Sequence, residues 1–189
     1  MGKVFDVIDE KLVSWIRAQR MFFVATAPLA GDGHVNCSPR GLDSFVVLGP
    51  REVAWLDLTG SGVETIAHLR ENRRIVLMFC AFDGPPRIVR LHGRGTVVEP
   101  GDPEFAALRA RFGGQGGVRA VIRVACQRIS DSCGYGVPLY EHRGDRPQLE
   151  QWAQRKGPEG VRAYQAEHNA QSLDGLPGLR ATSPAPSKS

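Results

Sequence analysis

Short apolar or alternating segments joined by tight turns fill most of the first 130 positions of this 189-residue chain. They predict strands over residues 21–27, 34–38, 45–48, 53–57, 75–82, 87–98 and 118–129. Most of the connections between them are too short to contain the crossover helix that parallel strands need. The chain is therefore predicted to be mainly β, with six or seven strands in an antiparallel sheet or barrel and helices at its periphery.

Three helices are predicted around this sheet. The first covers residues 4–19, in which apolar residues recur at helical spacing. The second covers residues 63–71. For the third, Asp102 is the predicted N-cap of a helix that reaches Phe112.

The composition changes after Gly136, where the strand pattern stops. Residues 147–156 and 158–171 each predict a short helix. From Pro177 onward the chain is rich in Gly, Ser and Pro, which is typical of disorder. We therefore expect three parts: a barrel with its N-terminal helix over 1–130, a C-terminal helical extension packed on the barrel over 131–176, and a disordered tail over 177–189.

The charge balance is mildly basic, with 24 Lys and Arg against 20 Asp and Glu. Arginine is scattered and forms no basic helix, so a nucleic-acid partner is not expected. No apolar run approaches the roughly 20 residues that cross a bilayer, and Asp6, Asp9 and Glu10 do not fit a signal peptide. We therefore expect a cytoplasmic protein without a membrane partner.

The four cysteines and five histidines show no metal-binding spacing. No two cysteines have the C-x-x-C spacing, and no two histidines form an H-x-x-H or H-E-x-x-H motif. Cys80 and Cys126 lie inside apolar strands, where cysteine behaves as a small hydrophobic residue. Neither a metal site nor a disulfide framework is therefore expected.

A strand-to-helix junction at residues 56–65, with the sequence LDLTGSGVET, has the composition of an anion site. Its glycines let backbone N–H groups approach a ligand closely, and the N-terminus of the following helix favours an anion. Upstream, residues 36–41 (NCSPRG) offer a hydroxyl and a guanidinium that would close the same site. Both stretches are also typical of ordinary turns, because Gly, Ser, Asp and Pro dominate turns.

The remaining glycine-rich segment does not carry a known nucleotide motif. Residues 113–117 follow a predicted helix rather than a strand, which does not fit a dinucleotide fingerprint. The chain also lacks the phosphate-binding motif G-x-x-x-x-G-K-[ST] and the nucleophile elbow G-x-S-x-G. The sequence therefore assigns no catalytic residue and does not support hydrolase chemistry.

In this order of elements and motifs, the chain resembles the flavin-binding split barrels of the pyridoxamine 5′-phosphate oxidase family, and more closely its bacterial members. The resemblance covers about residues 20–130, and residues 36–41 and 56–72 are its most specific parts. It implies a split β-barrel of the FMN-binding type. It also implies a homodimer with FMN at the subunit interface and a small-molecule substrate.

The resemblance also implies a set of cofactor-binding residues. One strand would run under the flavin with Val35, Asn36, Cys37, Ser38, Pro39 and Arg40, and Arg40 would meet the FMN phosphate. The strand-to-helix turn would add Leu58, Thr59, Ser61 and Thr65, and Arg87 would lie near the pyrimidine edge of the flavin. The sequence departs from the family at Glu64 and Thr65, where the family has an Arg-Lys pair. This departure removes two positive charges from the expected phosphate site.

Three functions are open at this point. The first is an FMN-dependent oxidoreductase, in which the cofactor performs the redox chemistry. The second is a deazaflavin-dependent reductase, because the same barrel hosts both cofactors. The third is a non-enzymatic flavin- or haem-binding protein, for which His34 or His92 would be the haem ligand. The C-terminal Arg and His that grip pyridoxamine phosphate in the true oxidase have no counterpart here, so that substrate is not expected.

Overall fold

An eight-stranded antiparallel sheet forms the framework of the computed structural model, which describes residues 2–180. Its strands are β1 (Val4–Phe5), β2 (Phe22–Thr26), β3 (Asn36–Arg40), β4 (Phe45–Gly49), β5 (Glu52–Leu58), β6 (Arg74–Cys80), β7 (Ile88–Val98) and β8 (Val118–Ser132). The helices are α1 (Glu10–Arg17), α2 (Glu64–Glu71), α3 (Phe105–Arg109) and α4 (Gln148–His168). The predicted mainly β fold with antiparallel pairing is confirmed.

The strands are ordered β3-β2-β6-β7-β8-β5-β4, and β1 pairs with one end of β8. Because β3 and β4 are the two edges of the sheet, the barrel stays split between them. The long strands β7 and β8 bend where the register shifts between His92 and Gly93. A side chain at Gly93 would collide with the carbonyl oxygen of Ala125, so the close approach of these two strands requires glycine.

The main core fills the inside of the sheet. Trp55, Leu77 and Phe79 are completely or almost completely buried there, and the rings of Phe22 and Phe79 stack with centroids 5.3 Å apart. Helices α1 and α2 add their apolar faces to the same core. Burial of each large apolar side chain contributes about 1.5–3 kcal/mol, so this core is the main source of stability.

A second, smaller cluster lies on the outer face of β5 and β8, under α3. It contains Leu56 and Val121 from the strands and Phe105 and Leu108 from the helix. The outer face of β2 and β6 differs, because its side chains belong to neither cluster and are only half buried. These residues are Phe23, Ala25, Val76 and Met78.

The N-terminal helix is shorter than predicted. It begins at Glu10, because the carboxylate of Asp9 accepts the N–H of Leu12 at 2.8 Å and caps it. Residues 4–5 form β1 instead, paired with Ser130 and Ile129 of β8. This short pairing adds the eighth strand, where the sequence predicted six or seven.

The prediction of Asp102 as an N-cap is wrong. Its carboxylate accepts the N–H of Glu99 at 2.8 Å, and α3 spans only Phe105–Arg109. In contrast, the two predicted C-terminal helices match the two halves of α4. They are separated at Gly157, whose φ of 67° is not helical, and Pro158 follows.

The packed part of the chain extends beyond the expected start of the tail. Pro177 bridges to Gln171, the N–H of Leu179 donates to the carbonyl of Asn169, and Arg180 pairs with Asp102. The rest of the expected tail, residues 181–189, lies outside the described residues. Within residues 2–180, no helix has the length and apolar character that would let it cross a membrane.

Candidate functional site

The edge strand β3 presents alternating faces, as an extended strand requires. Asn36, Ser38 and Arg40 point inward and are half buried. The other predicted site residues of this segment are exposed, with Val35 73% exposed and Cys37 and Pro39 on the outer side of the strand. Polar side chains at every second position therefore line the inner face of one edge of the split barrel.

Arg40 is part of a buried ion cluster. Its Nη2 lies 3.0 Å from Oδ1 of Asp57 on β5, and Nε of Arg119 on β8 donates to the other carboxylate oxygen at 2.8 Å. The carboxylate is completely buried, whereas 20% of the Arg40 side chain is exposed. Two guanidiniums share one carboxylate, so the cluster has an excess positive charge that reaches the surface at Arg40.

The turn between β5 and α2 is fixed by the C-terminal part of the chain. The hydroxyl of Thr59 donates to the carbonyl of Gly117 at 2.7 Å and accepts Nε2 of Gln165 at 2.7 Å. The completely buried Asn169 donates to the carbonyl of Gly60 at 2.9 Å. Its oxygen accepts Nη1 of Arg119 at 3.0 Å, which links the turn to the ion cluster.

The first residues of α2 have roles within the protein. Thr65 is 2% exposed, and its hydroxyl accepts Nδ2 of Asn36 at 3.0 Å. The carboxylate of Glu64 accepts the N–H of Leu173 at 3.2 Å, so the residue that departs from the family pattern holds the C-terminal segment. Ser61 remains exposed at the surface of the turn.

Two predicted site residues lie apart from this polar row. Leu58 packs against the small cluster under α3. Arg87 lies directly before β7 and pairs with Asp131 at 2.9 Å, with its guanidinium over the ring of Trp15 at 5.1 Å. The contacts of Arg87 are with β1, β8 and α1, rather than with the strand that carries Arg40.

A cavity of about 1310 Å³ opens beside Arg40. One wall consists of the α1–β2 connection (residues 18–21) and the end of β3, and the other is the segment 139–149, which runs into the start of α4. Tyr140 attaches this segment to the barrel, since its N–H donates to the carbonyl of Phe82 at 2.8 Å and the two rings stack at 5.4 Å. The charged residues on the walls are Arg20, Arg40, Arg146, Asp83, Glu141, His142 and Asp145.

The connection that follows Arg40 has an unusual backbone. Leu42 and Asp43 have φ values of 60° and 52°, which non-glycine residues rarely adopt. The side chain of Gln115 donates to the carbonyl of Leu42 at 3.1 Å and holds this conformation. Backbone strain of this kind costs on the order of 1–3 kcal/mol per residue and often occurs beside binding sites.

The histidines considered as haem ligands occupy different surroundings. Nδ1 of His34 lies 2.6 Å from the carboxylate of Asp174, and this hydrogen bond raises the pKa of His34 and lowers the pKa of Asp174. His92 lies on the outer face of β7, where burial and the charges of Arg128 and Arg90 lower its pKa. Among residues 2–180, no group of three or more potential metal ligands comes together.

Sequence reasoning missed Asp57, Arg119 and Asn169. A signal was present for the first two, because each is a charged residue with apolar neighbours on both sides in its strand. Such residues are rarely buried unless they are paired. Their partners could not be identified, since Asp57 and Arg119 are 62 positions apart. Asn169 had no local signal, because its contacts depend on how α4 ends against the turn.

The fold, with its polar edge strand, places the chain in the class of split-barrel proteins. Comparisons with known proteins identify the family. A sequence profile of the pyridoxamine 5′-phosphate oxidase family matches residues 8–133. The "Pyridoxamine 5'-phosphate oxidase family protein ustO" of Aspergillus flavus is 43% identical over 192 residues, which cover 93% of this chain and 77% of that protein. The chain therefore belongs to the pyridoxamine 5′-phosphate oxidase family.

A solved structure shows the same fold at low sequence identity, and others are similar to the chain over a comparable length. A variant of HupZ from Group A Streptococcus superposes with a TM-score of 0.51 at 20% identity, covering 66% of this chain and 99% of that one. A FAD-binding protein from Mesorhizobium loti has a TM-score of 0.48 at 14% identity, covering 69% of this chain and 96% of that one. The segment after residue 133, which includes α4, lies outside the part that the family profile matches.

Proposed function

We propose that the protein binds FMN between β3 and the β5–α2 turn and acts as a small flavin-dependent oxidoreductase. The observation that carries this proposal is the ion cluster of Arg40, Asp57 and Arg119. Its excess positive charge is partly exposed at one place, on the inner face of the edge strand. Membership of the pyridoxamine 5′-phosphate oxidase family supports the same cofactor class.

The residues at this edge fit a flavin in part. Arg40 offers a guanidinium to the phosphate, Ser61 an exposed hydroxyl, and Asn36 and Ser38 polar groups to the rest of the molecule. The hydroxyls of Thr59 and Thr65 are already bonded within the protein. A hydrogen bond to a charged group contributes about 1.5–3 kcal/mol, so the absent Arg-Lys pair lowers the expected affinity for the phosphate.

A bound flavin supplies the redox chemistry, and the protein supplies binding and orientation. We place the small-molecule substrate in the cavity beside Arg40. The segment 139–149 forms its outer wall, so this chain's own extension contributes to substrate selection. The reaction requires no metal from the protein in this proposal.

We further propose a homodimer with the cofactor at the subunit interface. The support is the outer face of β2 and β6, defined above by Phe23, Ala25, Val76 and Met78. These side chains are apolar and half buried, and they lie next to the strand that carries Arg40. A second copy that covers this face would bury apolar surface next to the edge strand of the flavin site.

We place the protein in the cytoplasm. All four cysteines are free, which agrees with a reducing compartment. Cys37 and Cys133 are exposed, and Cys80 and Cys126 are buried.

The test is the visible spectrum of the purified protein, combined with mass spectrometry of any ligand released by heat. The two visible bands of an oxidised flavin and the mass of FMN would support the proposal. A single band with the mass of a deazaflavin or a haem would replace FMN with that cofactor. A colourless protein that does not take up added FMN in an equilibrium titration would overturn the proposal.

A further inference from the structure

A chain of hydrogen bonds runs from the protein interior to the edge strand. It starts at His68 of α2, whose Nδ1 lies 2.9 Å from the hydroxyl of Thr26. Nδ2 of Asn36 lies 3.4 Å from that hydroxyl. Oδ1 of Asn36 accepts the hydroxyl of Ser38 at 2.9 Å. His68 is completely buried, whereas Ser38 is half buried and forms the outer end of the chain.

The donors and acceptors at the outer end of this row of hydrogen bonds are set by the amide of Asn36. The amide group of Asn36 has two protons, and it donates them to Thr65 and Thr26. The hydroxyl of Thr26 and Nδ1 of His68 share the next hydrogen bond at 2.9 Å, and the tautomer of the ring sets its direction. At the other end, Ser38 donates its only proton inward to Asn36. The oxygen of Ser38 therefore presents lone pairs alone to a ligand.

The surroundings of His68 keep its ring uncharged. Burial lowers the pKa of His68, and the charges of Asp174, Glu64 and Glu71 oppose this only in part. The ring is therefore neutral at pH 7. Nε2 is buried and has no hydrogen-bond partner within residues 2–180, so the bond between Nδ1 and Thr26 is the one that ties the ring to the described polar groups.

We propose that His68 is a positioning residue that acts through Thr26 and Asn36 to fix Ser38 as a hydrogen-bond acceptor toward the flavin. Ser38 then takes a donor, which is a ribityl hydroxyl or a ring N–H, and not a phosphate oxygen. This inference rests on the proposed function. It divides the site into two parts: Arg40, which binds the phosphate, and Ser38, whose oxygen accepts a hydrogen bond from the flavin.

The experiment compares the binding of FMN and riboflavin, because riboflavin lacks only the phosphate. Thr26→Val removes the hydroxyl at constant shape and is expected to weaken both flavins by the same factor, about three- to tenfold. Ser38→Ala is expected to do the same. In a Ser38→Ala background, Thr26→Val is expected to have no further effect, because the Ser38 hydroxyl that Thr26 helps to position is already absent.

Two further variants separate this role from a purely structural one. His68→Gln keeps a side-chain acceptor and is expected to retain more affinity than His68→Leu at equal thermal stability. Thr96→Val is the matched control, since its hydroxyl accepts from Arg73 on another part of the sheet. It is expected to leave the affinity for both flavins unchanged.

The result that would overturn this inference alone is a wild-type protein that binds both flavins while Thr26→Val binds them equally well. A Thr26→Val variant that loses affinity for FMN but not for riboflavin would also overturn it, because Ser38 would then face the phosphate. If the wild-type protein binds neither flavin, the proposed function fails and this inference fails with it. The wild-type titration therefore distinguishes the two failures.

Discussion

The guanidinium of Arg40 lies 3.0 Å from the buried carboxylate of Asp57, although their strands β3 and β5 are not neighbours in the sheet. This contact joins the edge strand to the opposite side of the split barrel. Because Arg119 binds the same carboxylate, Arg40 is held in place without being fully neutralised. The site therefore keeps a positive group at its surface in a fixed position.

Removal of this charge is expected to affect only ligands that have a phosphate. Arg40→Gln should lower the affinity for FMN about ten- to a hundredfold, the loss of one charge-assisted contact. The affinity for riboflavin should change little, and the fold should persist because Arg119 still pairs with Asp57. Isothermal titration with both flavins measures the effect, and Arg111→Gln on the exposed surface is the control. An equal loss for both flavins would contradict a phosphate contact at Arg40.

The buried carboxylate is expected to matter more for stability than any surface carboxylate. Asp57→Asn leaves two guanidiniums without a counter-charge, one of them 2% exposed, and should lower the free energy of unfolding by about 3–5 kcal/mol. Glu104→Gln removes an exposed pair with Arg123 and should cost less than about 1 kcal/mol. Urea denaturation of both variants tests the difference, and similar midpoints would argue against a buried ion cluster.

The apolar outer face of β2 and β6 leads to a prediction about assembly. Met78→Glu places a charge on this face and should convert a dimer into a monomer in light scattering. Under the proposed arrangement, in which the cofactor lies at the subunit interface, the monomer should also lose flavin affinity. Val7→Glu, at a position that is 42% exposed and away from this face, should leave the mass unchanged. A wild-type protein that is monomeric with full flavin occupancy would rule out the proposed interface.

The hydrogen bond between His34 and Asp174 ties the β2–β3 connection to the C-terminal segment, and its contribution to stability should depend on pH. The raised pKa of His34 gives a contribution to stability that is complete below about pH 6.5 and is lost as the pH rises through the folded pKa. The lowered pKa of Asp174 gives a contribution that is present above about pH 4 and is lost as the pH falls through the folded pKa. The tether between the β2–β3 connection and the C-terminal segment is therefore strongest between these values.

An NMR titration of the His34 ring tests this prediction. In the wild-type protein its pKa should lie above the ordinary value, and Asp174→Asn should return it toward that value. Identical titration curves for His34 in the two proteins would mean that the pair does not form in solution.

The cysteines should react in two groups. Cys37 and Cys133 are exposed and should react with a thiol reagent in the native protein. Cys80 and Cys126 are buried, and burial raises the pKa of Cys126 to about 11, so both should react only after unfolding. Counting of modified thiols at pH 8 with and without denaturant measures this. Modification of all four in the native protein would contradict the buried positions.

Local patterns predicted most of the fold, because strands, turns and amphipathic helices are encoded by neighbouring residues. The helix predicted over 63–71, which spans Glu64–Glu71 in the structure, and the break in α4 at Gly157 are confirmed for this reason. β1 was missed, since two residues become a strand only by pairing with β8 more than a hundred positions away. The N-cap at Asp102 was wrong because its carboxylate bonds backward to Glu99 instead.

The candidate site was predictable as a set of positions but not as a set of contacts. The polar row of β3 follows from strand alternation, which the sequence shows. That Arg40 pairs with Asp57, and that Glu64 holds Leu173, depends on segments that meet only in the folded protein. The cofactor-binding roles of the individual residues stay predictions until the flavin titrations are made.

The buried Asn169 has a practical consequence for anyone who trims this protein. A fragment cut at residue 133, where the family profile ends, would look like a complete domain by sequence. It would lack the side chain that donates to the Gly60 carbonyl and accepts from Arg119. Such a fragment would have a less firmly held β5–α2 turn, and a failure to bind flavin in this form would reflect the truncation and not the full-length protein.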